Sequence, residues 1–135
     1  MKVIDLKAQA IAVDVREGVL TVVKDKNTGT VKLVKVRYPK FVVEELYSFS
    51  GKKCLLLSIA LDLYLVSIDN TLFVSYDLAD WRKVLEVRNG NTLWHVCETP
   101  WGVVVQEYGE PPTSLWISKN GFHWRRLFNK SGYRS

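Results

Sequence analysis

Ser75-Tyr76-Asp77-Leu78-Ala79-Asp80-Trp81 and Ser118-Lys119-Asn120-Gly121-Phe122-His123-Trp124 are two versions of one pattern: a serine, an Asp or Asn two residues on, and a tryptophan six residues on. Their serines stand 43 residues apart. The residues before them match as well, Leu72-Phe73-Val74 against Leu115-Trp116-Ile117. Further upstream, Leu63-Tyr64-Leu65 aligns with Val103-Val104-Val105 at an offset of 40, and a longer loop holding Glu110, Pro111 and Pro112 accounts for the difference. A repeat of this period points to one supersecondary unit used several times.

A third copy stands at the start of the chain. Val31-Lys32-Leu33-Val34 aligns without gaps with Thr71-Leu72-Phe73-Val74 at an offset of 40, which sets Phe41 opposite Trp81; Gly18, before Val19-Leu20, parallels Asp62 before Leu63-Tyr64 once the longer loop between the strands is allowed for. Each copy reads as four short strands rich in Val, Leu, Ile and aromatic residues. The predicted strands are 10–15, 19–24, 31–36 and 41–46 in the first copy, 54–59, 63–68, 71–75 and 81–87 in the second, and 93–98, 103–108, 114–118 and 124–128 in the third. Turn residues such as Asn27-Thr28-Gly29, Asn89-Gly90-Asn91 and Glu110-Pro111-Pro112 bound them, and no stretch keeps a helical period. One domain is expected, with repeats at about 1–47, 48–88 and 89–130 and a basic tail over 131–135. Lys2-Val3-Ile4-Asp5-Leu6 resembles Lys83-Val84-Leu85-Glu86-Val87 and reads as a strand ahead of the first copy.

Composition excludes several classes. Hydrophobic residues make up 47% and charged residues 24% of 135, the balance of a globular chain rather than a disordered one. The two cysteines, Cys54 and Cys97, form no CxxC pair, and both are expected to be buried reduced thiols; no metal or cofactor is predicted. The opening Met1-Lys2-Val3-Ile4-Asp5-Leu6 lacks the apolar run of a secretory signal, and the most apolar stretch, 54–66, is shorter than a membrane helix and holds Asp62. A cytoplasmic protein with no membrane partner is expected. The net charge of +5 is local: Lys119, Arg125, Arg126, Lys130 and Arg134 carry it over residues 119–135, while the first 118 residues are neutral.

The two Ser…Trp stretches resemble the Asp-box, or BNR, repeat of sialidase-like propellers, which in that family lies on the hairpin between the third and fourth strands of a blade. The chemistry suits a structural turn. The Asp or Asn side chain accepts backbone N–H groups, Gly121 tolerates positive φ, and the tryptophan offers a large apolar face. In this reading Ser75, Asp77, Trp81, Ser118, Asn120, Gly121 and Trp124 are structural. Both copies are one residue shorter than the sialidase form, Leu78 and Ala79 replace the glycine near Asp77, and Lys35 to Phe41 in the first copy keeps only the aromatic.

The resemblance implies three blades of a propeller, and three blades cannot close around a channel. They would leave two apolar faces open, and the simplest cover is a two-fold homodimer with six blades. The alternative is a β-trefoil, which also has three such repeats but closes within one chain.

Loops on one end of a propeller form its usual ligand face. Here that end would hold Lys26, Asn27, Lys52, Lys53, Arg88, Asn89 and Tyr108. His95 is expected to be a buried, hydrogen-bonded histidine, since Glu98 three residues on falls on the opposite strand face. None of the arginines stands in a motif like the sialidase arginine cluster, and no catalytic residue is assigned. The leading expectation is a non-enzymatic module binding a protein or small ligand at the blade-connecting loops. The alternatives are nucleic-acid or polyanion binding through Arg125, Arg126, Lys130 and Arg134, and a glycan-directed hydrolase or lectin with its site at the channel.

Overall fold

The computed structural model describes residues 8–16, 18–111 and 113–129; the strand expected over residues 2–6, and Lys130 and Arg134, lie outside them. Twelve strands run in chain order. The first sheet holds β1 (Ala8–Val15), β2 (Gly18–Lys24), β3 (Val31–Arg37) and β4 (Val42–Phe49). The second holds β5 (Cys54–Ala60), β6 (Leu63–Ile68), β7 (Thr71–Ser75) and β8 (Arg82–Glu86). The third holds β9 (Thr92–Thr99), β10 (Gly102–Tyr108), β11 (Ser114–Ser118) and β12 (Arg125–Asn129). Each sheet is an antiparallel meander in sequence order, and there is no helix among the described residues. All twelve predicted strands are present, with limits displaced by three residues at most. Among the described residues the sheets share no ladder and do not close on one another, so they do not form the barrel of a β-trefoil.

Tight hairpins join the first two strands of every sheet. Val15 pairs with Gly18, Ala60 with Leu63 and Thr99 with Gly102, leaving two residues at each tip. In the second sheet those two are Leu61 and Asp62, both at positive φ, the conformation that matches the right-handed twist of paired strands. The hairpins fix the true equivalence between sheets: Gly18, Leu63 and Gly102 correspond, as do Leu20, Leu65 and Val104. The gap-free offset of 40 from the sequence is therefore one residue too long, since Leu65 corresponds to Val104 and Lys35 to Val74. A slip of one residue exchanges the two faces of a strand, so the apolar alternation matched in the sequence runs along opposite faces.

With the register corrected, the sheets stack in one sense. Leu20, Val22 and Leu33 of the first sheet meet Leu57, Val66 and Ile68 of the second, with Phe49 and Cys54 sealing the layer. Leu56, Leu63, Leu65, Leu72 and Val74, on the other face of the second sheet, meet Leu93, Val103 and Val105 of the third. Each sheet thus has a forward face toward its successor and a backward face toward its predecessor. The last strand of all three is bulged at the same place. Leu46, Val84 and Leu127 are skipped in the ladders with β3, β7 and β11, which bends the outer strand in each case.

The two end faces differ. On the third sheet the forward face presents Trp94, Val104, Gln106, Leu115 and Ile117, at positions that Leu56, Leu65, Ser67, Leu72 and Val74 occupy in the second. Those second-sheet side chains are buried, whereas Trp94 is 39% exposed and Val104 half-buried. On the first sheet, Thr21, Val23 and Val34 point backward by register, yet they are buried in the single chain. Of the two apolar end faces expected to be open, the third sheet's is open at Trp94 and partly at Val104, while Ile117 is buried as Val74 is.

Candidate functional site

The two Ser…Trp turns have the same geometry. In the second sheet Ser75 Oγ donates to Asp77 Oδ1 (3.1 Å) and accepts Leu78 N–H (2.9 Å). Asp77 Oδ1 also accepts the backbone N–H groups of Ala79 and Asp80, each at 2.9 Å. In the third sheet Ser118 Oγ donates to Asn120 Oδ1 (3.2 Å) and accepts Gly121 N–H (2.8 Å), and Asn120 Oδ1 accepts Phe122 and His123 N–H at 2.8 and 2.9 Å. Each tryptophan closes its turn through the indole, Trp81 Nε1 donating to Leu78 O (3.0 Å) and Trp124 Nε1 to Gly121 O (2.9 Å). The N–H groups of Asp80 and Ala79, with the Ser75 hydroxyl, hold the Asp77 carboxyl below the usual carboxylate range. Leu78 has φ 71° where Gly121 has 84°, so the turn that lacks its glycine keeps the left-handed conformation. The first sheet has no such turn. Residues 38–41 span from β3 to β4 in a shorter loop with a cis Tyr38–Pro39 bond, and Phe41 is 76% exposed rather than packed as Trp81 is.

The connecting loops and the β6–β7 and β10–β11 turns share one end of the sheets. Lys52 and Lys53 N–H both donate to the Asp69 carboxylate at 3.1 Å, and Arg88 Nη1 donates to Pro111 O (2.8 Å). Lys26 and Asn27 stand on the β2–β3 turn, where Asn27 N–H donates to Asp25 Oδ1 (2.9 Å); Asn89 is exposed. The cavities lined by residues 101–125, 74–123 and 106–115 take in none of these loop residues. Beside them lies a network with no recognisable motif in the sequence. Glu107, buried, accepts Asn91 Nδ2 (2.6 Å) and Trp116 Nε1 (3.0 Å), while Asn91 Oδ1 accepts Glu110 N–H (2.8 Å).

Tyr108 belongs to a different group. Its ring lies 5.3 Å from Trp94 and 5.9 Å from His95, its hydroxyl donates to Gln106 Oε1 (3.0 Å), and it shares a hydrogen bond of 3.1 Å with His95 Nδ1. His95 is the extra residue of a bulge in β9, with φ 53°, and is exposed rather than buried. Cys97, one register step away on the same forward face, is exposed as well, contrary to expectation. Cys54 is buried, and burial pushes its thiol up to about 12.

The basic strip is divided. Arg125 pairs with Ile117 and Arg126 with Trp116, so the two arginines point to opposite faces of the sheet. Arg126 stacks over the Trp116 ring at 4.9 Å, and Arg125 lines a cavity of about 280 Å³ with Trp101 and Trp124. No group of three or more metal-ligating side chains occurs among the described residues, and no described helix is long and apolar enough to cross a membrane.

A groove of about 640 Å³ separates the two Ser…Trp turns. Tyr76, Asp77, Asp80 and Arg82 come from the second sheet's side, and Asn120, Phe122 and His123 from the third's. The Phe122 ring lies 5.6 Å from Tyr76 and under the Arg82 guanidinium at 5.8 Å. In the sequence these turns carry only the signature of structure. Tyr76 stands in no motif of its own, and its neighbour across the groove, Phe122, is 46 residues away in the chain.

No protein-family model matches the chain, and no curated protein and no solved structure matches it.

Proposed function

We propose that the chain is a non-enzymatic binding module whose sheets are three blades of an Asp-box propeller, completed to six by a second copy. The observation that carries this reading is the forward face of the third sheet. It repeats the register of a face that is covered by a following sheet on both of its predecessors, and it leaves Trp94 and Val104 in contact with solvent. A like sheet is the surface that the first two forward faces already fit. The loop end, with Lys26, Asn27, Lys52, Lys53, Arg88 and Asn89, would then form a double-sized rim for a protein or small ligand. Ring closure also requires the backward face of the first sheet, where Thr21, Val23 and Val34 are already shielded in the single chain. A face-to-face pair of third sheets needs no such access.

Light scattering of the purified chain tests the dimer: twice the chain mass is expected, and Trp94→Asp should return it to a monomer with an unchanged strand spectrum. A monomer at all concentrations overturns the reading. A short bis-maleimide linker on Cys97 separates the two geometries. Rapid covalent coupling of two Cys97 thiols would reject the ring, because only face-to-face sheets bring those residues together.

Among the described residues Arg125 and Arg126 point to opposite faces of the sheet, so no observation there favours nucleic acid as the partner.

A further inference from the structure

We propose that the groove between the turns at 75–81 and 118–124 binds a neutral saccharide. The groove is complete within one chain, so the inference does not depend on a second copy. Its size falls in the range of about 300–1,000 Å³ typical of small-molecule sites. Three features select the ligand. Tyr76 is 70% exposed, its ring packs against Phe122, and the Arg82 guanidinium lies over the same Phe122 ring; this is an aromatic platform facing solvent. Such a ring suits the C–H face of a pyranose, which is apolar and flat.

The second feature is the mixture of unused donors and acceptors. Asn120 spends its Oδ1 on the turn, and its Nδ2 has no partner among the described residues. The Arg82 guanidinium, the His123 ring and the Asp80 carboxylate likewise have no hydrogen-bonding partner there. Asp77 uses Oδ1 for the turn and leaves Oδ2 open. Sugar hydroxyls both donate and accept, so they can satisfy carboxylate and amide or guanidinium at one site. The third feature is charge. Asp77 and Asp80 offset Arg82 and Lys83, and Lys83 is also paired with Glu86 at 3.2 Å. A groove without net positive potential does not concentrate a polyanion.

The test is a titration of isotope-labelled protein with maltotriose, cellotriose, triacetylchitotriose and mannotriose, followed by amide correlation spectra. At least one is expected to shift the Asn120 side-chain amide and the backbone amides of residues 76–82 and 120–124 in a saturable way. Tyr76→Ala and Asp80→Asn should each weaken that binding by roughly tenfold, the scale of one lost aromatic contact or charged hydrogen bond. Neither variant should alter the oligomeric mass, so failure here is distinct from failure of the dimer. The inference is overturned if no sugar gives saturable shifts up to about 10 mM, the limit of weak specific binding. It is also overturned if both variants bind as the parent does, or if a sulfated oligosaccharide binds more tightly than every neutral one.

Discussion

Asp77 and Asn120 do the same work with different chemistry. Each gathers two backbone N–H groups and a serine hydroxyl onto one oxygen. Asp77→Ala removes all three and should lower the urea midpoint, as loss of a capping side chain does; urea unfolding measures it. Asp77→Asn keeps the accepting oxygen and should be close to neutral at pH 7. Only the carboxylate titrates. Because its pKa is lowered on folding, the stability it adds is present above the unfolded value near 3.8 and is lost as pH falls through the lower folded value. Asp77→Asn should therefore flatten the acid limb of the stability profile below pH of about 4. An unchanged limb would show that the charge of Asp77 contributes nothing. These residues were legible in the sequence because the turn is local, with every partner within six positions. The Glu107–Asn91–Trp116 network was not, because its members lie on three separate strands or loops and no spacing connects them.

At the scale of elements, the hairpin tip decides how neighbouring sheets approach. Gly121 has φ 84°, and a Cβ there would collide with Leu63 Cδ1 of the second sheet. Gly121→Ala combines backbone strain with overpacking and should cost about 1–3 kcal/mol in thermal or urea unfolding. The third sheet should loosen first, seen as faster hydrogen exchange in β10 and β11. A neutral effect would mean that the tip does not define the packing between sheets. The number, type and order of strands followed from apolar runs and turn residues. The register did not, because Val-rich strands align about equally well one residue apart, and only the two-residue hairpins at 15–18, 60–63 and 99–102 settle it. Bulges at Leu46, Val84 and Leu127 were equally hidden, since an unpaired residue inside an apolar run leaves the run unchanged.

At the scale of the molecule, the account rests on the forward face of the third sheet, where Trp94 and Val104 stand at positions that are buried in the second sheet and Cys97 lies exposed on the same face. Three repeats imply two open end faces by geometry alone, whereas Thr21, Val23 and Val34 on the backward face of the first sheet are buried in the single chain. The two cysteines supply a direct probe. Cys54 is enclosed, with its thiol pushed up to about 12, and should resist alkylation at pH 8 until the chain unfolds. Cys97 lies on the face in question, so the decisive measurement is its alkylation rate as a function of protein concentration. The account predicts protection of Cys97 in concentrated protein, release on dilution, and full reactivity at every concentration in Trp94→Asp. A Cys97 that reacts equally fast at all concentrations in the unsubstituted chain would contradict it.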